Sequence, residues 1–330
     1  MAVSLQTRLI TADRTAITAA ARCLADGGLV AFPTETVYGL GADATNGPAV
    51  ARLYAAKGRP SFNPLIAHVG DIAAARRLAR FGAAAERLAA AFWPGPLTLV
   101  LRKAAGCTVA ELATAGLDSI AVRVPAHAVA RDMLAAFGKP IVAPSANRSG
   151  HISPTTAQHV AADLGGAIDL IVDGGPTRVG VESTIVACLD VRPVLLRPGG
   201  IARQDIERVL GTTLTDASSS ISADHDDAPL APGQLASHYA PRTKLRLNAT
   251  EVRPGEALLA FGPALPPGSA AAVRNLSGEG DVIEAAANLF SHLRALDAAG
   301  ASLIAVMPVP EAGLGEAIND RLRRAASPRS

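Results

Sequence analysis

Lys57-Gly58-Arg59-Pro60 sets two cations two residues apart beside Gly and Pro, and the chain continues through Ser61-Phe62-Asn63-Pro64. Two prolines restrict this loop, so the Arg59 guanidinium and the Asn63 amide lose little freedom on meeting an anion. Much later comes Pro144-Ser145-Ala146-Asn147-Arg148-Ser149-Gly150, directly after the apolar Ile141-Val142-Ala143. Ser145 and Asn147 alternate, so in an extended segment both face the same way. Cations combined with compact, directional donors suit polyphosphate, whose charge is spread over several oxygens. Each stretch taken alone also has a plainer meaning: a solvated cationic turn at Lys57 and Arg59, and an ordinary Ser- and Asn-rich turn at 145–147.

Other residues fit the same chemistry. Arg123 sits inside Ile120-Ala121-Val122-Arg123-Val124-Pro125, and Arg197 inside Leu195-Leu196-Arg197-Pro198. A buried strand tolerates arginine poorly unless a carboxylate or phosphate neutralises it, which makes Arg123 a candidate clamp for a substrate carboxylate. Ser183-Thr184, after Gly180-Val181-Glu182, is either a substrate-facing hydroxyl pair or the plain opening of a strand. His68 in Leu65-Ile66-Ala67-His68-Val69 is either a ligand or a satisfied core histidine. Phe32-Pro33-Thr34-Glu35-Thr36-Val37-Tyr38-Gly39-Leu40-Gly41 and Trp93-Pro94-Gly95-Pro96-Leu97-Thr98 complete the set. The sequence holds no HExxH, Walker A loop, GxSxG elbow or Ser/His/Asp pattern, which argues against a P-loop phosphotransferase.

The elements that must hold these residues alternate between helix and strand. Ile17, Ala20, Ala21 and Leu24 recur at helical spacing, predicting a helix over 13–26 that Gly27-Gly28 ends. Leu29 to Phe32 reads as a strand feeding the Thr34 loop, Ala49 to Ala56 as a helix leading into Lys57, and 73–92 as one long helical stretch. Leu65 to Val69, Leu97 to Arg102, Ser119 to Val124, Pro140 to Ala143, Leu170 to Asp173 and Ser183 to Cys188 read as strands. That pattern predicts an open, mixed α/β sheet covered by helices, with ligands outside the carboxyl ends of strands.

The 330 residues suit two domains, and 49% hydrophobic against 18% charged residues supplies ample core. Composition changes after Leu210: Ser218-Ser219-Ser220, Asp224-His225-Asp226-Asp227 and the prolines at 229, 232 and 241 predict a linker over 211–242. It separates a catalytic domain, 1–210, from a small Rossmann-like α/β domain, 243–330. In the latter, strands are predicted at Lys244 to Leu247, Glu256 to Phe261 and Ser302 to Val306, and helices at Asp281 to Ala299 and Gly315 to Ala326, without a GxGxxG loop.

A net charge of +2 does not announce a nucleic-acid partner. Cys23, Cys107 and Cys188 are scattered, with no CxxC pair, so they read as reduced thiols of a cytosolic protein rather than a zinc site. No apolar run reaches transmembrane length, so a soluble, cytoplasmic protein without a membrane partner is expected.

Taken in order, these segments resemble the YrdC-like family, and more closely its two-domain members, the threonylcarbamoyl-AMP synthases. The resemblance runs from about Thr11 to Ile201, continues through Ser237-His238-Tyr239-Ala240-Pro241, and ends in Gly313-Leu314-Gly315-Glu316-Ala317-Ile318-Asn319-Asp320-Arg321-Leu322. It implies a YrdC-like open twisted mixed sheet with helices, followed by the Rossmann-like domain. The implied reaction converts L-threonine, bicarbonate and ATP, with Mg2+, into threonylcarbamoyl-AMP and pyrophosphate. In that role the protein is a nucleotidyltransferase of tRNA modification. Its adenylate would feed a tRNA threonylcarbamoyl transferase complex that makes threonylcarbamoyladenosine beside the anticodon, with at most a weak tRNA or RNA contact of its own.

The family's tetrad falls on Lys57, Arg59, Ser145 and Asn147. By the same resemblance, threonine meets Thr36, His68, Arg123, Ala143 and Ser183, while ATP meets Arg59, Asn63, Ser119, Ser145, Ser153 and Arg197, with Tyr239 closing over the nucleotide. No general base is assigned, Glu35 and His68 being the two candidates. Double-stranded RNA binding on the fold's concave face is the main alternative, weakened by the near-neutral charge. Carbamoyl transfer in hydrogenase maturation is a second, and the chain lacks the added acylphosphatase and zinc-finger segments it needs.

Overall fold

The computed structural model of the chain describes residues 6–216 and 238–328. Most of the predicted linker over 211–242, including the Ser218 and Asp224 clusters and Ser237, lies outside the described residues. Among those described, strands gather into one sheet of eleven and one of four.

The first sheet contains β1 (Arg8–Thr11), β2 (Val30–Pro33), β3 (Tyr38–Asp43), β4 (Ile66–His68), β5 (Leu97–Arg102), β6 (Ser119–Arg123), β7 (Ile141–Val142), β8 (Leu170–Asp173), β9 (Thr184–Ala187), β10 (Val194–Arg197) and β11 (Thr215–Asp216). Their order across the sheet is β1-β8-β2-β3-β7-β4-β6-β5-β9-β10-β11. Pairing is mixed: β2 lies parallel to β8 but antiparallel to β3, and β4 lies parallel to β6 but antiparallel to β7. Helices α1 (Arg14–Ala25), α2 (Gly47–Lys57), α3 (Ile72–Leu78), α4 (Ala83–Phe92), α5 (Ala128–Phe137), α6 (Ala157–Leu164) and α7 (Arg203–Leu210) cover it. The apolar faces of α2, α3, α4, α6 and α7 close one large cluster, with Leu53, Leu88, Leu97, Val122 and Ile206 buried in it, while α1 and α5 pack with Val30, Phe32 and Ile141 in a second.

Caps explain several helix limits. Asp13, Asn46, Asp71 and Thr156 each accept an amide hydrogen bond from the first turn of α1, α2, α3 and α6. Gly58 ends α2 in the left-handed region, φ 58°, which places Lys57 as the helix's last residue and turns Arg59 away from the axis.

The expected long helix over 73–92 is two helices. Ala79 leaves the helical region with φ −139° and ψ 154°, and pairs with Lys103 in an isolated bridge. Arg80 then donates its amide to the Arg102 carbonyl. Continuous alanine-rich periodicity concealed this break, because the bridge partner, Lys103 just past β5, comes twenty-four residues after Ala79. Strands β1, β3, β10 and β11 and helices α5, α6 and α7 have no counterpart in the expectation.

The second sheet is wholly parallel, in the order β12 (Leu245–Arg246), β15 (Leu303–Val306), β13 (Glu256–Ala260), β14 (Val273–Asn275). With α8 (Val282–Asp297) and α9 (Gly315–Ala326) it forms a small Rossmann-like α/β unit, in which β14 was not foreseen. The two units share a buried apolar cluster: Val37, Ile152 and Val181 from the first and Leu259, Phe290 and Ile318 from the second meet around Tyr239. Gly180 permits the closest approach. A Cβ there would lie 2.3 Å from the Ala286 carbonyl oxygen and 2.5 Å from Ala287 Cα on α8, and its φ of 75° also favours glycine. No helix among the described residues is long and apolar enough to cross a membrane.

Candidate active site

Parallel pairing of β4 with β6 sets His68 beside Arg123 at the strands' carboxyl ends. The β2–β3 turn brings Thr36 and Val37 to the same place, and the segment after β7 adds Ala143, Pro144 and Ser145. Together with Arg59, Ile66, Glu182, Ser183, Arg197, His238 and Tyr239 they enclose a cavity of about 40 Å³. All five residues expected to meet threonine and four expected to meet ATP (Arg59, Ser145, Arg197 and Tyr239) therefore line one space. A wider, open cleft of about 780 Å³ along α1 carries Arg8, Arg14, Arg22 and Arg52. Arg52 there is half exposed and paired with Asp169, and the other arginines are exposed, so this cleft is a solvated face rather than a convergent site.

Four further expected residues lie one contact behind the wall. The Lys57 ammonium donates to the Ser145 carbonyl at 2.5 Å and to the Asn147 carbonyl. The Ser145 hydroxyl donates to the Asn147 side-chain oxygen at 2.5 Å, and the Asn147 amide donates to the Arg148 and His151 carbonyls. Arg59 donates to the Asn63 and Pro64 carbonyls at 3.3 and 3.1 Å, and Ser153 donates to Glu182. Ser119 is different. It opens β6, four residues before Arg123, pairs with Arg102 and does not line the cavity.

The notion of a solvated cationic turn at Lys57 and Arg59 does not hold, since both are buried, at 3% and 8% exposure. Burial, helped by the neighbouring Arg59 charge, holds the Lys57 ammonium well below its usual pKa; burial brings Arg59 down to about 10. Packing two cations this close without a carboxylate between them favours an anion at the site.

Arg123 is neutralised from within the chain. Its Nη2 meets Glu35 Oε1 at 2.5 Å, Nη1 donates to the Thr36 hydroxyl at 3.1 Å, and Nε donates to the Gly95 carbonyl at 3.2 Å. A guanidinium has five N–H donors, so this arrangement leaves capacity for a carboxylate. Burial pushes the Glu35 carboxyl up, but the charge and hydrogen bond of Arg123 outweigh it and hold Glu35 below its ordinary value. Glu35 is thus ionised but committed, also accepting from the Ala126 amide.

His68 is buried, and its Nδ1 lies 3.2 Å from the Ile66 carbonyl, which can only accept. Nδ1 therefore carries the proton and Nε2 the lone pair. Burial, with Arg123 nearby, pushes its pKa down to about 3. A neutral imidazole in this state is a good hydrogen-bond acceptor and a weak base.

Sequence reasoning missed Glu182 and His238 as parts of the wall. Glu182 accepts from Ser153 and from Arg321. The His238 ring lies 4.1 Å from that of Tyr239, edge to face, and its amide donates to the Arg324 carbonyl on α9. Burial and the cations Arg59, Lys57, Arg197 and Arg321 keep His238 neutral. Asn63 Oδ1, His238 Nδ1 and the Tyr239 hydroxyl are buried with no hydrogen-bond partner among the described residues. Two of them, on the cavity-lining His238 and Tyr239, point to a ligand that satisfies them. Only the residue types in His238-Tyr239 signalled this in sequence.

Two family models match the chain: one described as "Telomere recombination", over residues 22–199, and one described as "Threonylcarbamoyl-AMP synthase, C-terminal domain", over residues 201–327. A threonylcarbamoyl-AMP synthase of Pyrococcus abyssi is 43% identical over 323 residues, covering 93% of this chain and 93% of that protein. One from Bacillus subtilis is 42% identical, covering 95% of this chain and 93% of its own. The crystal structure of P. abyssi Sua5 complexed with L-threonine superposes with a TM-score of 0.87 at 41% identity, over 97% of this chain and 98% of that one.

Proposed function

The chain belongs to the two-domain threonylcarbamoyl-AMP synthase family, and on that premise we propose that it makes threonylcarbamoyl-AMP and pyrophosphate from L-threonine, bicarbonate and ATP. The observation that carries this reading is the single cavity in which Thr36, His68, Arg123, Ala143 and Ser183 face Arg59, Ser145, Arg197 and Tyr239. An amino-acid pocket and a phosphate pocket share a wall there.

In this reading, Arg123 spends its remaining N–H groups on the threonine carboxylate, and the Thr36 hydroxyl and His68 Nε2 receive its polar groups. The threonine amine adds to CO2 with loss of a proton, or to bicarbonate with loss of water, to give a carbamate. A carbamate oxygen then attacks the α-phosphorus, the bond from that phosphorus to the bridging oxygen breaks, and pyrophosphate leaves. Arg59 and Arg197 offset the charge on the phosphates, with Ser145 orienting them. Lys57 and Asn147 act by fixing Ser145. Neither Glu35, committed to Arg123, nor His68, with its low pKa, is suited to general-base work, so positioning and electrostatics carry the rate.

The carboxylates at the cavity, Glu35 and Glu182, are both taken up by arginines, and the described residues hold no cluster of three or more metal-ligating side chains. The donor set does not fit a resident metal, so magnesium is proposed to arrive on the ATP phosphates. The product would pass to a tRNA threonylcarbamoyl transferase complex in the cytoplasm.

Pyrophosphate release by the purified protein with ATP and magnesium, omitting threonine or bicarbonate in turn, tests the reading. Release that requires both is expected. Release indifferent to threonine would overturn it.

A further inference from the structure

Arg321 lies on α9 of the second unit, yet its side chain, 0% exposed, ends behind the cavity wall of the first. Its Nε donates to Glu182 Oε2 at 2.8 Å, Nη2 to the Pro198 carbonyl at 2.9 Å, and Nη1 to Asp320 Oδ2 at 2.6 Å. Its guanidinium carbon stands 5.0 Å from the centre of the Tyr239 ring, within cation–π range. Tyr239 also stacks on Phe290 of α8, with ring centres 5.7 Å apart and planes 25° from parallel.

These contacts reach three separate stretches of the cavity wall. Glu182 precedes β9 and holds Ser153 with its other oxygen. Pro198 follows Arg197, whose guanidinium donates to the Ser183 carbonyl. Tyr239 comes from the segment between the units, and its φ of 62° is a conformation that a residue with a side chain keeps only when its surroundings over-determine it. Arg321 itself does not line the cavity.

We infer that Arg321 is a positioning residue for the nucleotide side of the site: through Glu182, Pro198 and Tyr239 it sets the wall that ATP meets, so that the second unit completes the site. The inference rests on the reading above for the identity of the ligand. A guanidinium that merely stapled two units together would need only one partner across the junction, as Glu182 is for Arg321. This one also organises a cavity-lining carboxylate, a backbone turn beside a cavity-lining arginine, and a ring that lines the space. The planar fork matters, because a lysine ammonium cannot serve Glu182, Pro198 and the Tyr239 face from one position.

The test compares the full-length parent protein with Arg321→Lys and Arg321→Met in three measurements. These are calorimetric binding of ATP and of L-threonine, steady-state KM and kcat for pyrophosphate release, and the thermal midpoint. The expected result for Arg321→Lys is ATP binding about tenfold weaker, with kcat reduced and L-threonine binding near parental. Should Arg321→Met fail to fold, Arg321→Lys, which keeps the charge, still decides the matter. A lowered midpoint with parental ATP affinity and KM would make Arg321 an interdomain staple only and overturn the inference. A parent that binds ATP but releases no pyrophosphate overturns the reading of function while the binding comparison still judges Arg321. A parent that binds no nucleotide overturns both.

Discussion

Lys57 and Ser145, eighty-eight residues apart, are joined by the Lys57 ammonium donating to the Ser145 carbonyl at 2.5 Å. The same ammonium takes the Asn147 carbonyl, so one buried cation fixes the loop that presents the Ser145 hydroxyl. Lys57→Ala should therefore lower pyrophosphate release by about 10²-fold or more. It should also cost about 1–3 kcal/mol in urea unfolding, because two carbonyls lose a donor. Near-parental turnover would remove Lys57 from the mechanism.

Glu35 and Arg123 form a pair whose side chains are 12% and 4% exposed. Glu35→Ala leaves Arg123 buried without its carboxylate, and a loss of about 3–5 kcal/mol in the denaturant-derived stability is expected. Arg123 would then hold an anion less specifically, so L-threonine affinity should fall as well. An unchanged denaturant midpoint would mean that water reaches Arg123.

Acid sensitivity follows from the histidines. The folded state keeps His68 neutral down to about pH 3, whereas the unfolded chain takes up that proton near 6.5. The unfolded state thus binds more protons between these values, and stability is whole above about pH 6.5 and falls as the pH drops. The slope from this group reaches about 1.4 kcal/mol per pH unit. His159, pushed down to about 4 chiefly by burial, adds to it. Urea midpoints from pH 7 to pH 4 check this, and His68→Gln should flatten the slope by about one proton's worth; an unaltered slope would place His68 in contact with water.

Tyr239→Phe removes a buried hydroxyl that makes no hydrogen bond among the described residues. Stability should hold or rise slightly, while KM for ATP rises by about three- to tenfold if the hydroxyl meets the nucleotide. Thermal melts and initial rates at varied ATP separate the two effects. A fall in the melting midpoint with KM intact would show that the hydroxyl serves the fold alone.

Gly180→Ala touches no cavity residue but drives a methyl into the backbone of α8. Loss of turnover together with faster proteolytic cleavage between the units is expected. Full activity would show that the units tolerate being moved apart.

Much of this site was legible because strand ends carry it. Apolar runs marked β4, β6 and β7, and the polar residues at their carboxyl ends, His68, Arg123 and Ser145, converge as open α/β sheets require. What was hidden came from long-range partners. Arg123 required a neutralising group, but nothing in its neighbourhood named Glu35 on another turn. The break between α3 and α4 depends on a bridge from Ala79 to Lys103. Glu182 reads as a residue of a strand-opening turn until Arg321 arrives from 139 residues away.

The narrow volume that Tyr239 helps to line carries a kinetic meaning. About 40 Å³ is far below the roughly 300–1,000 Å³ of small-molecule pockets, so an occupant as large as a nucleotide requires the lining to shift. If Tyr239 is the residue that shifts, its return is coupled to departure of the occupant. Residence time would then depend on the contacts of Tyr239 with Phe290 and Arg321 as well as on contacts with the occupant. An inhibitor that lets the tyrosine settle would outlast a tighter one that props it open.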